Sequence, residues 1–292
     1  MIVGVLVGAV ALTWGLTYVV LRVGMQASPP FFFAAARTIL GGLLIVATAL
    51  ALRRRFPLDL RAHGLLALGG VLNYSMFYGG LNYGVLHLPA GLTALLNYTA
   101  PFWIAGLARA FLGQPLGPQR ISGLVAGFFG VVLIVSDRLF VGFDPMWEAQ
   151  AAVLLAAFAW GAGSVFFVRY NSGVPLEWAV GLQSLYGSLP LAILWLIAEA
   201  SGLPDPTWSF WGALAFSVLL SSFLAQLAFF SLLRRREATI VGTYMFLVPA
   251  VASVSGFVIL HESFTLVSAL GGVAVIGGIY LVNQTDKWSF SK

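Results

Sequence analysis

The sequence predicts an all-α integral membrane protein with ten transmembrane helices, arranged as two inverted five-helix repeats with both termini in the cytoplasm. The composition, the distribution of basic residues and an internal repeat support this prediction. Of the 292 residues, 60% are hydrophobic and only 9% are charged, and the mean hydropathy is +0.95. Soluble domains carry roughly 25% charged residues. The chain therefore belongs in a bilayer and has little room for a separate soluble domain.

Ten hydrophobic stretches are long enough to cross a bilayer, because a membrane-spanning helix needs about 20 mostly apolar residues. Charged residues, prolines and turn clusters separate these stretches from one another. Their number sets the number of predicted helices. They lie near residues 2–22, 31–52, 64–86, 90–112, 119–136, 147–169, 175–198, 209–233, 238–260 and 265–283.

Lysine and arginine residues fall mainly on one side of the predicted bundle. Arg22 and Arg138 follow odd-numbered helices, and Arg37 lies inside the second helix. The others follow even-numbered helices, and cytoplasmic loops carry the excess of basic residues in membrane proteins. Both termini should thus be cytoplasmic, and the net charge of +5 reflects these loops, with no nucleic-acid partner. The residues on the basic side are Arg53, Arg54, Arg55, Arg61, Arg109, Arg120, Arg169, Arg234, Arg235, Arg236, Lys287 and Lys292.

The second half of the chain repeats features of the first, and we predict one repeat in residues 1–138 and another in 145–284. Because five helices is an odd number, the second copy must enter the bilayer in the opposite orientation. Secondary transporters are built this way, with the substrate near the midplane between the repeats. A duplication within a static scaffold is the alternative. The matches are Trp14-Gly15 with Trp160-Gly161, Pro29 with Pro175 and Gly41 with Gly187 at an offset of 146, and Pro101 with Pro249, Gly123 with Gly271 and Gly130 with Gly278 at an offset of 148.

Two stretches, together with the Trp-Gly pair in the first helix of each half, resemble the EamA-domain branch of the drug/metabolite transporter superfamily. The stretches are LNYTAPFW with the following LGQPLGPQRISGLVAGFFGVVLIV, and MFLVPAVASVSGFVILHESFTLVSALGGVAVIGGIYLV. The resemblance implies this fold and membrane transport, and it is strongest to exporters of aromatic and other amino acids. Gln114 stands where the family usually has an acidic residue in the first copy, whereas the second copy has Glu262.

Pro101 and Pro249 occupy equivalent positions in the fourth and ninth predicted helices. A proline removes the hydrogen bond to the carbonyl four residues earlier, which frees the carbonyls of Asn97 and Met245. Such carbonyls are tolerated at membrane depth where neighbouring groups or cavity water satisfy them. We expect the two prolines to be hinges of a gate, and a static packing kink is the alternative.

Polar residues form stripes on the predicted helices around these prolines. Tyr74, Tyr78 and Asn82 share one face of the third helix, Asn97 lies in the fourth, and Gln226 is the repeat partner of Tyr78. Polar groups in a bilayer face inward, towards partners or water. Tyr78, Asn82, Asn97 and Gln226 are therefore predicted to line a substrate cavity. Hydrogen bonding between helices is the alternative.

Trp14 and Trp160 lie well inside their predicted helices, although tryptophan usually prefers the membrane interface. We expect these repeat partners to flank the cavity from opposite halves, and simple packing is the alternative. Arg37 lies about two turns into the second helix. It is predicted to contact a substrate carboxylate at the outer mouth, unless its side chain snorkels to the interface.

No aspartate or glutamate lies in the middle of a predicted helix, and His63, His87 and His261 are also near helix ends. Proton-coupled pumps use intramembrane carboxylates or histidines, and exporters of lipophilic cations need a buried negative charge. An uncoupled facilitator for zwitterionic metabolites is therefore favoured. A proton-coupled exporter of other metabolites or drugs is the alternative.

The sequence gives no indication of an enzyme, since it lacks the GxSxG, HExxH and GxGxxG motifs. It also lacks cysteine, which excludes disulfides and thiolate metal sites. A channel would need a continuous polar path, whereas these polar residues cluster centrally. We predict a monomeric, cofactor-free and metal-free transporter of the inner membrane. It would export amino acids, including aromatic ones, by alternating access.

Overall fold

The described residues of the computed structural model are 2–24, 28–136, 146–171, 173–199, 202–261 and 265–284, and they contain helices and no strands. The uninterrupted α-helices are α1 (Ile2–Gly24), α2 (Pro30–Ala51), α5 (Pro118–Val135), α6 (Trp147–Tyr170), α7 (Leu176–Ala198) and α10 (Leu266–Gln284). Four further elements, here called rods, each consist of consecutive helical segments. Two of them contain a π-helical segment. Rod α3 consists of Leu60–Gly70, the π-helix Val71–Met76 and Phe77–His87, and rod α8 consists of Trp208–Phe216, the π-helix Ser217–Ala225 and Gln226–Arg235. Two rods are broken: α4 consists of Ala90–Asn97 and Ala100–Leu112, and α9 of Ala238–Tyr244 and Leu247–Leu260.

Eight of these helices and rods in the described part of the chain are long and apolar enough to cross a membrane. They are α1, α2 and α5 to α10. An asparagine lies within each of the other two rods, Asn73 in α3 and Asn97 in α4. The prediction of an all-helical, multi-pass membrane protein is confirmed. The total of ten spans and the cytoplasmic position of the termini stay predictions.

The breaks in α4 and α9 lie one turn before Pro101 and Pro249. A proline ring clashes with the carbonyl four residues earlier, so the chain cannot continue as a regular α-helix there. The backbone forms tighter bonds between residues three apart instead, from Thr99 N to Leu96 O (3.2 Å) and from Phe246 N to Thr243 O (3.1 Å). Each rod thus has two helical segments that meet at a short turn in the protein interior.

Glycines allow close contacts between helices. A contact between a helix of the first half and one of the second half has a counterpart between the two repeat-related helices. A Cβ atom at Gly15 in α1 would lie 2.5 Å from Val251 of α9, and one at Gly161 in α6 would lie 2.7 Å from Trp103 of α4. Gly15 and Gly161 are 146 residues apart, and Trp103 and Val251 are 148 apart. The packing of α1 on α9 therefore corresponds to that of α6 on α4.

The helices α5 and α10 are repeat partners of each other, and their contact is symmetric when the two halves are exchanged. A Cβ atom at Gly123 would lie 2.7 Å from the carbonyl oxygen of Gly278, and one at Gly130 would lie 2.5 Å from that of Gly271. Gly123 and Gly271 are matched in the sequence repeat, and so are Gly130 and Gly278. Only a residue without a side chain permits two helices to approach so closely.

Candidate functional site

Trp14 and Trp160 lie in contact at the junction of the two halves. Their ring centroids are 5.6 Å apart with an interplanar angle of 74°, which is an edge-to-face arrangement. The ring of Phe229 in α8 lies 5.3 Å from Trp14 and 5.1 Å from Trp160, and Phe77 in α3 lies 4.7 Å from Trp160. Trp160 is buried, and its indole Nε1 has no hydrogen-bond partner. The two predicted residues therefore belong to one aromatic cluster that has an unused donor.

Arg37 of α2 and Tyr78 of α3 form a hydrogen bond near this aromatic cluster. The guanidinium Nη2 of Arg37 donates a hydrogen bond of 2.6 Å to the Tyr78 hydroxyl, and its Cζ lies 4.5 Å from the centroid of the Tyr78 ring. The amide Nε2 of Gln226 donates to the same hydroxyl over 3.5 Å. The Arg37 Nε and the Gln226 Oε1 are buried without a hydrogen-bond partner. The contact between Arg37, Tyr78 and Gln226 thus leaves one donor, on Arg37, and one acceptor, on Gln226, unused.

The positive charge of Arg37 is not neutralised by a carboxylate among the residues that the structure describes. The side chain is only 6% exposed, so it does not snorkel to the interface, which was one of its two predicted roles. Burying an unpaired charge in a membrane protein is unfavourable, and such residues usually serve function. The region around Tyr78 therefore carries a net positive charge that can attract an anionic group.

Asn82 and Asn97 differ in their surroundings. The amide Nδ2 of Asn82 donates a hydrogen bond of 3.0 Å to the carbonyl oxygen of Pro30, which ties α3 to the first turn of α2. Asn82 therefore has the interhelical hydrogen bond that is the alternative to its predicted place in a substrate cavity. Asn97 is buried just before the break in α4, and its Oδ1 has no hydrogen-bond partner. Asn97 thus keeps a free acceptor in the protein interior, and its place in a substrate cavity stays a prediction.

Several buried polar residues that the sequence did not single out as site residues join α2 and α3 to α7. The Nδ2 of Asn73 donates to Oε1 of Gln183 over 3.0 Å, and the hydroxyl of Ser184 donates to the carbonyl oxygen of Thr38 over 2.8 Å. The internal repeat could have indicated these residues, because Thr38 and Ser184 are repeat partners 146 residues apart and Gln183 is the repeat partner of Arg37. Their significance depends on which helices pack together, which the sequence did not indicate.

Within the described part of the chain, some residues touch their own repeat partners. Such pairs are Trp14 with Trp160, Thr38 with Ser184, and Tyr78 with Gln226. A residue can contact its own repeat partner only where the two halves meet. The aromatic cluster and the Arg37–Tyr78–Gln226 contact therefore lie at this junction.

Polar contacts also join the halves at the ends of the helices that we predict to be cytoplasmic. Arg120 at the start of α5 forms an ion pair with Glu237 at the start of α9. The Oε1 of Gln114 accepts hydrogen bonds from the backbone N (3.3 Å) and hydroxyl (3.4 Å) of Thr239. Arg54 after α2 pairs with Glu177 of α7 over 3.3 Å. These contacts link the two halves at this end of the bundle.

The described residues contain no cluster of three or more histidine, aspartate or glutamate side chains that could hold a metal ion. The groups available at the junction are a guanidinium, amides, a phenol and aromatic rings. Such groups can bind and orient a small polar molecule by hydrogen bonds and aromatic contacts.

The comparisons with known proteins agree with this architecture. The EamA-like transporter family matches the chain twice, at residues 2–136 and 148–284. The chain is also similar to a solved crystal structure, with a TM-score of 0.84 and 20% identity, covering 99% of both chains. At this identity the likeness concerns the fold alone.

Curated relatives extend over nearly the same length. The chain is 31% identical over 285 residues to the uncharacterized transporter YvbV of Bacillus subtilis, covering 97% of this chain and 92% of the relative. It is 27% identical over 289 residues to a probable amino-acid metabolite efflux pump of Escherichia coli, covering 95% and 93%. It is 26% identical over 275 residues to the uncharacterized inner membrane transporter YedA of Escherichia coli, covering 94% and 88%. The chain belongs to the EamA-like transporter family and is a multi-pass transporter of the inner membrane.

Proposed function

We propose that the protein exports small zwitterionic metabolites, chiefly amino acids and among them aromatic ones, by alternating access without ion coupling. The observation that carries this proposal is the buried Arg37, which has no carboxylate partner in the described residues and lies beside Tyr78 at the junction of the halves. A substrate carboxylate would supply the missing negative charge. It could replace the Tyr78 hydroxyl or use the free Nε of Arg37.

The aromatic cluster supports the rest of this substrate class. Trp14, Trp160 and Phe229 offer flat apolar surfaces, and aromatic rings attract a substrate ring by edge-to-face contact. The faces of the same rings attract an ammonium group by cation–π interaction. The free Oε1 of Gln226 and Oδ1 of Asn97 can accept hydrogen bonds from that group. Together they would accommodate the carboxylate, ammonium and ring of an aromatic amino acid.

The exchanged helix contacts support a transport cycle in which two copies swap conformations. We propose that residues 1–138 and 145–284 form inverted repeats in a ten-helix protein with cytoplasmic termini. In two inverted copies, a conformation adopted by one half in the outward-open state can be adopted by the other in the inward-open state. The breaks before Pro101 and Pro249 would then be the hinges. The contacts of Arg120 with Glu237 and of Gln114 with Thr239 would form the cytoplasmic gate.

The positions of the acidic residues support an uncoupled carrier. Within the described helices, Glu148, Glu177, Glu199 and Glu237 lie at helix ends, and the Glu199 carboxylate accepts hydrogen bonds from the backbone N of residues 31 and 32. A proton-coupled cycle needs a titratable group that alternates between the two sides. The direction of export is supported by the name of the Escherichia coli relative, a probable amino-acid metabolite efflux pump.

Purified protein in proteoliposomes tests the proposal with a radiolabelled panel of amino acids, sugars and organic cations. We expect saturable counterflow of phenylalanine, tryptophan and smaller amino acids, and no accumulation above equilibrium when a pH gradient is imposed. Uphill accumulation driven by the pH gradient would support the proton-coupled alternative. Ohmic, non-saturating flux would indicate a channel, and transport restricted to sugars or organic cations would overturn the proposed substrate class.

A further inference from the structure

A cavity lies beside α3. It is a groove of about 480 Å³ between α3, α6 and α7, which is within the range of roughly 300–1,000 Å³ found for small-molecule sites. Its walls include Val71, Ser75 and Gly79 of α3, Leu155 of α6, and Pro190 and Leu194 of α7. Ser75 is its one polar side chain, and its hydroxyl already donates a 2.7 Å hydrogen bond to the carbonyl of Gly187. The groove therefore offers an occupant hydrocarbon contacts alone.

The rim of the groove faces the bilayer. Leu155 is 53% exposed and Ile193 is 54% exposed, and both belong to candidate membrane spans. Leu155 lies eight residues after the start of α6, and Gly79 lies eight residues before the end of α3. At 1.5 Å per residue, both lie roughly 12 Å along the helix from that end. Because the hydrocarbon core is about 30 Å thick, the groove opens at the depth of acyl chains.

The corresponding region of the other half provides an internal comparison. At an offset of 148, Gly79 corresponds to Leu227 and Ser75 corresponds to Phe223, both in α8. Phe223 and Leu227 are partly buried and pack against the main hydrophobic core. Large side chains thus occupy the second half where the first half has a glycine and a serine. The sequence of α3 thus provides the small side chains at these two positions of the groove.

We propose that this groove binds one acyl chain of a membrane phospholipid from the leaflet that the outer ends of α3 and α6 face. Its depth excludes a polar headgroup, its lining offers no free hydrogen-bonding group, and its open side can be reached only from the bilayer. The acyl chain would pack against the π-helical segment Val71–Met76. The same segment contains Tyr74, whose side chain is buried in the protein interior. The acyl chain would therefore contact the same helix that contributes Tyr78 to the junction of the halves.

Photolabelling tests this proposal independently of transport. The protein is reconstituted with phosphatidylethanolamine that carries a diazirine in the middle of one acyl chain, and labelled peptides are identified by mass spectrometry. We expect labels concentrated on residues 71–80 and 190–194. In Gly79→Leu, which introduces the side chain of the other half, labelling of these residues should fall roughly fivefold or more, because the leucine occupies the groove.

The variants can be chosen to preserve the fold. A Cβ atom at Gly79 meets only Leu194 Cδ1 at 3.5 Å, and Gly79→Ala is a milder filling variant that should give a smaller decrease. Gly277→Leu on α10 is the matched control, since Gly277 is exposed with nothing within 4 Å of its Cβ position. Equal labelling in the wild type and both Gly79 variants would overturn the proposal. So would labels spread evenly over the lipid-facing helices, and neither result would affect the proposed transport function.

Discussion

The hydroxyl of Tyr78 accepts hydrogen bonds from Arg37 at 2.6 Å and from its own repeat partner Gln226 at 3.5 Å. A positive charge is thereby fixed at the junction of the two halves, where an alternating-access carrier binds its substrate. The repeat partner of Arg37 is the neutral Gln183, so the charge breaks the symmetry between the halves.

Replacing Arg37 by glutamine should remove recognition of the substrate carboxylate. A hydrogen bond to a charged group contributes about 1.5–3 kcal/mol, so kcat/KM for phenylalanine should fall roughly 10- to 150-fold. Transport of phenylalanine amide should change much less, and Arg37→Lys should retain part of the activity because it keeps the charge. The measurement is counterflow of both compounds in proteoliposomes. Equal losses for the acid and the amide would show that Arg37 has no role in carboxylate recognition.

Replacing Trp14 by alanine should reduce the preference for aromatic substrates. An aromatic pair contributes about 0.5–1.5 kcal/mol beyond the burial of its area, so the ratio of tryptophan to alanine transport should fall roughly 2- to 12-fold. Trp147→Ala is the control, because Trp147 is 69% exposed at the start of α6. Competition assays with both amino acids give the ratio. An unchanged ratio in Trp14→Ala would mean that the cluster serves packing alone.

Replacing Glu237 by glutamine should open the end of the bundle that we propose to be cytoplasmic. Removing a buried ion-pair partner costs several kcal/mol, but the Glu237 side chain is 27% exposed, so about 1–2 kcal/mol is expected. That is enough to change the ratio of two conformations roughly tenfold. Because the chain has no cysteine, Thr243→Cys on α9 can report accessibility to a membrane-impermeant maleimide.

Labelling of Thr243→Cys from the cytoplasmic side should therefore rise in the Glu237→Gln background. Glu148→Gln, which changes an exposed carboxylate at the start of α6, should leave the labelling rate unchanged. A rate that is the same in both backgrounds would count against a gate formed by Arg120 and Glu237.

Replacing Pro101 or Pro249 by alanine should slow the transport cycle while leaving substrate affinity unchanged. Alanine restores a backbone donor at the break, and one further hydrogen bond contributes about 0.5–1.5 kcal/mol to a continuous helix. We expect a lower kcat, a similar KM and a Tm higher by roughly 2–4 °C. Pro118→Ala at the start of α5 is the control, because a proline there does not interrupt a helix. A normal kcat in both variants would contradict the hinge role.

The sequence predicted the class of protein and its family, because a bilayer imposes strong and local requirements on composition. Long apolar helices, basic residues on one side and recurring Trp-Gly, Pro and Gly pairs could all be read without coordinates. The internal repeat identified Trp14 and Trp160 as partners, and these two rings are in contact. It also identified Pro101 and Pro249 as partners, and both lie just after helix breaks. Each of these predictions depends on one helix or on an offset along the chain.

The tertiary structure alone decided which buried polar groups are partners. Arg37 could have snorkelled, but it donates to Tyr78, and Asn82 is used in a bond to α2. The role of Ser184 and the groove beside Gly79 also depend on how α2, α3 and α7 pack. Helix angles and separations arise from many contacts between residues more than a hundred positions apart, and no local pattern encodes them. The sequence by itself therefore determined the membrane-protein class and the family, and packing decided which polar groups lie together at the junction of the halves.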